Sequence, residues 1–320
     1  MKNVRQAVKS QRMIFQLAAV ALASSLFTWS VAADSNGETM VDGSDHRQAI
    51  ETWRTARHER LMRPDGWLTL VGLEWLQEGE NRVGSAEGND IRLSGGPDDW
   101  GSVFVEGKQL RFITADSDKV KINGASLAES ELVADTEGTA TVVSSGTLSF
   151  HVIFRASYAL RIKDSKAPTL QNFTGVDNYP IDANWRIDGL FVKAEEGASI
   201  EIANVLGQIS ESPVYGSFEF DMQGNTHSLL ALGTEASKNL WFIFSDRTSG
   251  RGTYGAGRFL YSDGMPQNGR LVVDFNKAYN PPCAFNPYST CPLPPQRNRM
   301  DLKVTAGEKD FHPDTGHYTN

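Results

Sequence analysis

The stretch Leu148-Ser-Phe-His-Val-Ile-Phe154, followed shortly by Tyr158-Ala-Leu-Arg-Ile162, decides the fold class. Phe150, Val152 and Phe154 occupy every second position of the first run, which is the period of a β-strand with one buried face. The second run is also short and rich in residues that favour strands. The stretch therefore predicts β structure rather than helix.

Similar short runs continue on both sides of this stretch. Gly, Asn or Asp separates most of them, at the spacing typical of a β-sandwich or barrel. Gly224-Asn225 lies between two such runs and predicts a hairpin turn. The other predicted strands are residues 67–71, 90–93, 103–105, 110–113, 120–122, 139–143, 185–187, 190–193, 200–203, 218–222, 228–232, 240–244 and 271–275.

One helix is expected, near the start of the chain. Ser44 can cap it, its apolar positions Ile50, Trp53 and Leu61 fall near one face, and Pro64-Asp-Gly66 supplies a turn that ends it. The fold class is therefore mainly β, an N-terminal helix followed by two β-sandwich or barrel-like lobes. The pattern loosens between residues 164 and 180, where we place the boundary between the lobes. The predicted parts are a leader (1–33), a polar lead-in and helix (34–64), a first lobe (65–165) and a second lobe (166–320).

Composition narrows the classes of function. The 320 residues carry a formal charge of −8, and 40% of them are hydrophobic. A chain of this length can bury a core without disulfide or metal staples. Its acidic balance argues against a nucleic-acid partner, because binding phosphates requires clustered Lys and Arg.

The first 33 residues have the pattern of a secretory signal peptide. A cationic start precedes the apolar residues 13–27, and Val31-Ala-Ala33 supplies small residues for cleavage near Ala33. The apolar run is shorter than the roughly 20 residues that span a bilayer, so we expect no stable membrane insertion. The sequence predicts a periplasmic or secreted protein. The four cations are Lys2, Arg5, Lys9 and Arg12.

The most distinctive segment is residues 278–296, here called the Pro/Cys loop. It contains no charged residue, six of the 13 prolines and both cysteines, Cys283 and Cys291. Proline fixes φ and lacks an N–H, so this segment is expected to be neither helix nor central strand. A rigid loop of this kind could hold binding groups, or it could cover the core with proline and aromatic side chains.

These residues carry a family resemblance. Residues 274–298, Asp246-Arg-Thr-Ser-Gly250, Thr253-Tyr-Gly-Ala-Gly-Arg-Phe-Leu260 and Ala306-Gly-Glu308 resemble the domain of unknown function 1684 family. Asp65-Gly-Trp-Leu-Thr-Leu-Val-Gly-Leu73 is similar to the N-terminal half of the same family. The resemblance runs from about Trp53 to Glu308 and implies no function.

Residues 79–124 bear a fainter resemblance to forkhead-associated domains. The resemblance implies a β-sandwich shape for the first lobe. Forkhead-associated domains bind phosphothreonine through an Arg after a glycine, but here Ser85 follows Gly84. Phosphopeptide binding is therefore not expected.

Cys283 and Cys291 are a lone pair of cysteines in a chain predicted to be exported, for which a disulfide is the expected state. A thiol or metal role is the alternative. The spacing is not the C-x-x-C of zinc sites, so no metal site is predicted.

The glycine-rich residues 249–258, here called the Gly/Arg segment, could bind an anion through backbone amides and arginine, or simply form a bent hairpin. The carboxylates Asp246, Asp274 and Glu308 could converge as an acid/base pair or bind a hard cation, or they could form salt bridges with arginines. No motif indicates a cofactor, a zinc protease or a serine hydrolase.

Three functions remain open from the sequence. The first is binding of a small polar or anionic molecule between the Gly/Arg segment and the Pro/Cys loop. The second is a hydrolase acting on a glycan or ester through Asp274 and Glu308, and the third is a structural role in the cell envelope. The candidate ligand-binding residues are Tyr254, Arg258, Asn276, Asn280 and Tyr288.

Overall fold

The predicted helix opens the computed structural model, which describes residues 43–311. Helix α1 spans Gly43–Leu61, with Asp45 in its first turn and Arg60 in its last, an order that complements the helix dipole. The turn at residues 64–66 follows, where the Gly66 N–H donates to the Arg63 carbonyl at 2.9 Å. The predicted leader lies outside the described residues and stays a prediction.

The first lobe is a β-sandwich of two five-stranded sheets. One sheet has the order β1-β10-β9-β8-β6 and the other β3-β2-β4-β5-β7. The strands are β1 Leu70–Trp75, β2 Gly79–Gly84, β3 Ile91–Arg92, β4 Gly101–Glu106, β5 Gln109–Thr114, β6 Lys121–Ile122, β7 Glu129–Glu131, β8 Val142–Ser145, β9 Leu148–Arg155 and β10 Ser157–Asp164.

The alternation that predicted this lobe points its residues into the space between the sheets. Phe150 on β9 meets Phe112 of the facing sheet edge-to-face, with ring centroids 5.6 Å apart, and Trp100 at 5.9 Å. Offset and edge-to-face pairs of this kind stabilise a core beyond their buried area. Phe154 departs from the alternation: it is 39% exposed and packs on Tyr158 across the β9–β10 hairpin.

The residues of the predicted second lobe form a single larger sheet with the order β16-β15-β14-β13-β11-β17, to which β12 adds by pairing with β13. Its buried face carries a cluster of phenylalanines, among them Phe218, Phe242 and Phe275. The predicted hairpin between β13 and β14 is present, but its turn is Gln223-Gly224, one residue before the predicted Gly224-Asn225. A short helix α2, Pro168–Gln171, precedes this lobe, whose strands are β11 Arg186–Lys193, β12 Ser199–Ala203, β13 Ile209–Met222, β14 Asn225–Leu232, β15 Trp241–Phe244, β16 Arg258–Tyr261 and β17 Arg270–Asp274.

The predicted fold class is confirmed, with local differences. Residues 67–69 form a 3-10 turn rather than a strand, because the N–H and hydroxyl of Thr69 both return to the Gly66 carbonyl. Strands β2, β7 and β16 have no strong alternation and were not predicted. Among residues 43–311 no helix is long and apolar enough to cross a membrane.

Candidate functional site

Asp274 anchors the first turns of α1 to the end of β17. Its Oδ2 lies 2.7 Å from His46 Nε2, and its Oδ1 accepts the backbone N–H and the side-chain amide of Asn276 at 3.0 and 2.8 Å. The Asn276 amide also donates to the Asp182 carbonyl at 2.8 Å, and its oxygen accepts the Asp182 N–H. Asp274 and Asn276 are buried, and both side chains are used within the fold.

Glu308 forms a second buried anchor, further along α1. Its Oε1 accepts Arg57 Nε at 2.9 Å and its Oε2 accepts the Asn280 N–H at 2.6 Å. Arg57 Nη2 closes the ring by donating to the Asn280 carbonyl at 3.0 Å. The Asn280 amide donates to the Lys309 carbonyl, and its buried Oδ1 has no partner among the described residues.

The structure attaches the two predicted catalytic carboxylates to opposite parts of α1. Their partners, His46 and Arg57, lie three turns apart on the helix, or about 16 Å along its axis. Acid/base pairs of glycoside hydrolases stand about 5 to 9.5 Å apart. The positions of Asp274 and Glu308 therefore fit two structural anchors better than one catalytic pair.

Arg258 is fully buried against the backbone of residues 304–308. Its guanidinium donates to the carbonyls of Val304, Ala306 and Glu308, at 3.2, 2.5 and 3.3 Å, and lies 3.6 Å from Asp246. Burial lowers its pKa, while Asp246 opposes that effect. These contacts commit the Arg258 side chain to holding the backbone of residues 304–308.

Backbone amides of the Gly/Arg segment donate hydrogen bonds to nearby carbonyls of the same stretch of chain. Gly250 N–H donates to the Thr253 carbonyl at 2.8 Å, and the N–H groups of Arg251 and Thr253 both return to the Thr248 carbonyl. Gly257 has a φ of +97°, and a Cβ there would lie 2.6 Å from the Phe244 carbonyl oxygen. The glycines thus serve a tight backbone path, which agrees with the bent-hairpin alternative more than with an anion cradle.

Tyr254 and Tyr288, both predicted as ligand contacts, form different contacts in the structure. Tyr254 OH donates to the Cys283 carbonyl at 3.1 Å, and burial raises the Tyr254 pKa to about 12. Tyr288 is half-buried, and its N–H donates to Asn286 Oδ1 at 3.0 Å. The Gly/Arg segment and the Pro/Cys loop are therefore in contact, through Tyr254.

The predicted disulfide is not present in the structure. Cys283 and Cys291 are both free, and their sulfurs are not at disulfide distance. Each sulfur instead accepts the backbone N–H of the other cysteine, at 3.1 and 3.3 Å. The pair is a dithiol here, held together by the turn of the Pro/Cys loop.

A pocket of about 490 Å³ lies beside α1, which contributes Trp53, Arg57 and Arg60 to its lining, and we call it the aromatic pocket. Its volume falls within the range usual for small-molecule sites. Two of its rings are strongly exposed, with Trp67 at 38% and Tyr261 at 45%. Tyr261 stacks on Tyr279 with the ring centroids 6.3 Å apart, and Tyr279 also contacts Trp53. The remaining lining residues are Arg57, Arg60, Asn239, Ser262, Asp263 and Lys277.

The charges of the aromatic pocket are unequally paired. Arg57 is bound to Glu308, and Lys277 donates to Asp263 at 2.6 Å. Arg60, at the exposed end of α1, forms no ion pair among residues 43–311. Among the described residues, Arg60 is therefore the lining cation without an ion pair, beside four aromatic rings.

A smaller pocket of about 120 Å³ shares two lining residues, Trp53 and Arg57, with the aromatic pocket. Arg54 and Asn178 line this smaller pocket, and each has a buried atom that finds no hydrogen-bond partner within residues 43–311, Nε and Oδ1 respectively. Burial lowers the Arg54 pKa.

A third cavity, about 660 Å³, lies along β12 and β13, and its charged lining is mostly acidic. Glu235 is bound there to Lys193 and Tyr215, and Glu211 accepts from Ser199. Since Glu235 and Glu211 already have partners, this cavity indicates a class of ligand less clearly than the aromatic pocket does. We therefore regard the aromatic pocket as the candidate site.

Comparison with known proteins gives a family match for part of the chain. Residues 171–309 match the family described as protein of unknown function (DUF1684). The resemblance predicted from the sequence is confirmed over this range, which covers the second lobe, the Pro/Cys loop and Glu308. The DUF1684 match begins at residue 171, so it does not include the N-terminal resemblance or α1.

Solved structures give only weak likenesses beyond the DUF1684 match. An uncharacterised protein from Haloarcula marismortui, solved by NMR, is 28% identical over 43% of this chain and 78% of its own, with a TM-score of 0.37. A phosphothreonine-dependent forkhead-associated domain is 17% identical over 30% of this chain and 96% of its own, with a TM-score of 0.21. No curated protein matches the chain.

Sequence reasoning missed the aromatic pocket, although one signal for it was available. Trp53, Arg57 and Arg60 occupy positions i, i+4 and i+7 of a predicted helix, so they share one face. The rings that complete the pocket, Tyr261 and Tyr279, come from distant segments. The exchange of backbone hydrogen bonds between Phe259 and Tyr279 brings these segments together.

Proposed function

We propose that the protein binds a small organic anion with a planar ring in the aromatic pocket. The observation that carries the proposal is the convergence of exposed aromatic rings with Arg60, a cation that has no carboxylate partner in residues 43–311. Exposed rings gathered in a concave surface are typical of ligand sites. This ligand belongs to the class of small polar or anionic molecules expected from the sequence. The proposed site is the aromatic pocket and not the space between the Gly/Arg segment and the Pro/Cys loop.

The roles of the lining residues follow from their existing contacts. Arg57 lies 4.8 Å from the centre of the Tyr279 ring and is fixed by Glu308, so it supports the floor of the pocket. Tyr261 and Trp67 would contact the ligand through their exposed ring surfaces, although Arg161 already lies over the Trp67 ring, 5.4 Å from its centre. Arg60, the unpaired cation, would bind the anionic group through charge-assisted hydrogen bonds. A hydrogen bond to a charged group contributes about 1.5–3 kcal/mol, which is about tenfold or more in affinity.

The test is a set of tryptophan-fluorescence titrations with benzoate, phthalate and phenyl phosphate, each compared with neutral benzamide. At least one anion should bind more tightly than benzamide, and Arg60→Ala should weaken it about tenfold or more. Arg63→Ala is the matched control, because Arg63 is exposed, lies close in sequence and is paired with Asp65. Equal affinities for the anions and benzamide, or an unchanged affinity in Arg60→Ala, would refute the proposal.

The carboxylate-dependent hydrolase and the structural envelope role remain alternatives. No contact favours the hydrolase over the binding function, since the oxygens of Asp274 and Glu308 accept hydrogen bonds from α1 and from nearby backbone. Turnover that survives Asp274→Asn in a folded protein would exclude Asp274 as its catalyst.

A further inference from the structure

Cys283 and Cys291 are held in a geometry suited to chemistry between them. The 3-10 turn Pro282–Ala284 presents Cys283, and the backbone of Cys291 is bound to the β12 side of the sheet through the Val205 N–H, at 3.0 Å. Each sulfur accepts the backbone N–H of the other residue. The two thiols thus face one another while remaining unbonded.

A buried arginine beside the cysteines has an incomplete set of partners. Arg161 on β10 is only 4% exposed; its Nη2 donates to Thr290 Oγ1 at 3.2 Å, and its guanidinium lies over the Trp67 ring, 5.4 Å from the ring centre. Its Nε has no hydrogen-bond partner in residues 43–311. No carboxylate in residues 43–311 forms an ion pair with it. The charge of Asp135 also favours the charged form of Arg161, but Asp135 is already paired with Arg155 at 2.8 Å.

An unpaired guanidinium is unfavourable in the interior unless an anion lies nearby. The positive charge of Arg161 acts to lower the pKa of both cysteines, Cys283 and Cys291. A thiolate at this place would therefore supply the missing negative charge, and Arg161 would in turn stabilise the thiolate.

The two cysteines are not equivalent. Cys283 is half-buried and reachable, whereas Cys291 is 5% exposed. Hydrogen bonding from the Cys291 thiol lowers the pKa of Cys283, and the Cys291 N–H and Arg161 act in the same direction, against burial. The same hydrogen bond, together with burial, raises the pKa of Cys291. Reachable low-pKa thiols with a protected neighbour are typical of attacking and resolving cysteines.

We propose that Cys283 and Cys291 form a reversible redox pair that exchanges with small-molecule disulfides of the glutathione type. The Cys283 thiolate attacks one sulfur of the small disulfide, whose S–S bond breaks, and the leaving thiolate takes up a proton. Cys291 then loses its proton and attacks the Cys283 sulfur, releasing the second small thiol. The protein pair loses two electrons, and the small disulfide gains them as two thiols.

The first measurement is the rate of alkylation of each cysteine in the reduced, full-length protein, from a short iodoacetamide pulse at pH 7 and peptide mass spectrometry. Cys283 should react at least about tenfold faster than Cys291, given its exposure and lowered pKa. Arg161→Met should slow Cys283, and Arg161→Lys, which keeps the positive charge, should restore most of the rate. Equal rates for the two cysteines would overturn the assignment.

The second measurement is equilibration in glutathione buffers of varied ratio. The wild-type protein should pass reversibly between dithiol and disulfide, and Cys291→Ser should accumulate a mixed disulfide between Cys283 and glutathione. Cys283→Ser is the matched control and should accumulate far less of it. A disulfide that no glutathione ratio reduces would identify a static staple, and absence of the mixed disulfide in Cys291→Ser would exclude Cys283 as the attacking thiol.

Discussion

Replacing Arg258 with methionine should strongly destabilise the protein. The side chain is fully buried, and its guanidinium serves three backbone carbonyls in residues 304–308 as well as Asp246. Methionine fills similar space but donates nothing, so it would leave these acceptors and a buried carboxylate without their cation. Removing one partner of a buried ion pair typically costs about 3–5 kcal/mol. We expect a loss of this size, a large fraction of the about 5–15 kcal/mol that stabilises an ordinary domain.

Urea unfolding followed by tryptophan fluorescence measures this loss. Arg247→Met is the matched control, because Arg247 lies in the same part of the chain but pairs with Asp301 at the surface, with both side chains exposed. Pairs of that kind contribute about 0–1 kcal/mol. A double variant, Arg258→Met with Asp246→Leu, should lose less stability than the two single variants added together, because it no longer buries an unpaired carboxylate.

The result also decides how Arg258 should be interpreted. If Arg258→Met unfolded within 1 kcal/mol of the wild type but lost binding of the anions named above, Arg258 would be a ligand contact, as the sequence predicts. The structure instead leads us to expect loss of stability as the primary effect. An unchanged stability would refute the reasoning from its buried hydrogen bonds.

Two further predictions concern pH and backbone conformation. Burial, with the charge of Lys163, lowers the His151 pKa to about 4, so the folded state holds a neutral imidazole. The stabilisation that the neutral imidazole provides is present above about pH 6.5 and is lost as the pH falls toward 4. In urea unfolding, His151→Gln should therefore reduce the difference in unfolding free energy between pH 7 and pH 4 by about 3 kcal/mol. Gly257→Ala should lower the melting temperature more than Gly264→Ala, since both residues have positive φ but only Gly257 has Phe244 against the added Cβ. Equal shifts in melting temperature would show that the positive φ alone, and not the contact with Phe244, causes the loss of stability.

The sequence predicted the fold through periodicity that a single strand or helix can display. Alternation at Phe150 and Val152 indicated β9, and Ile50 and Leu61 indicated α1, both of which the structure contains. Strand β16 was missed because its partners, not its own pattern, define it: it pairs with β15, and Phe259 pairs with Tyr279 of the Pro/Cys loop.

The candidate site was harder to predict because buried structural polar groups and ligand-binding groups look alike in a sequence. Asn276 and Arg258 stand in apolar surroundings and suggested ligand contacts, yet each satisfies backbone groups of neighbouring segments. Buried main-chain carbonyls and amides need partners wherever the chain is irregular, and long polar side chains supply them. A polar residue within an apolar run therefore does not distinguish these two uses unless its neighbours in space are known.

The buried polar contacts and the aromatic pocket are physically connected through α1. His46 fixes the beginning of the helix to Asp274, and Arg57 fixes its later turns to Glu308. With both points held, the face that carries Trp53 and Arg60 keeps its position over Tyr279 and the other rings. Residues that the sequence offered as catalytic would thus act as positioning residues for a binding site, because a pocket lined by one helix depends on whatever holds that helix in place.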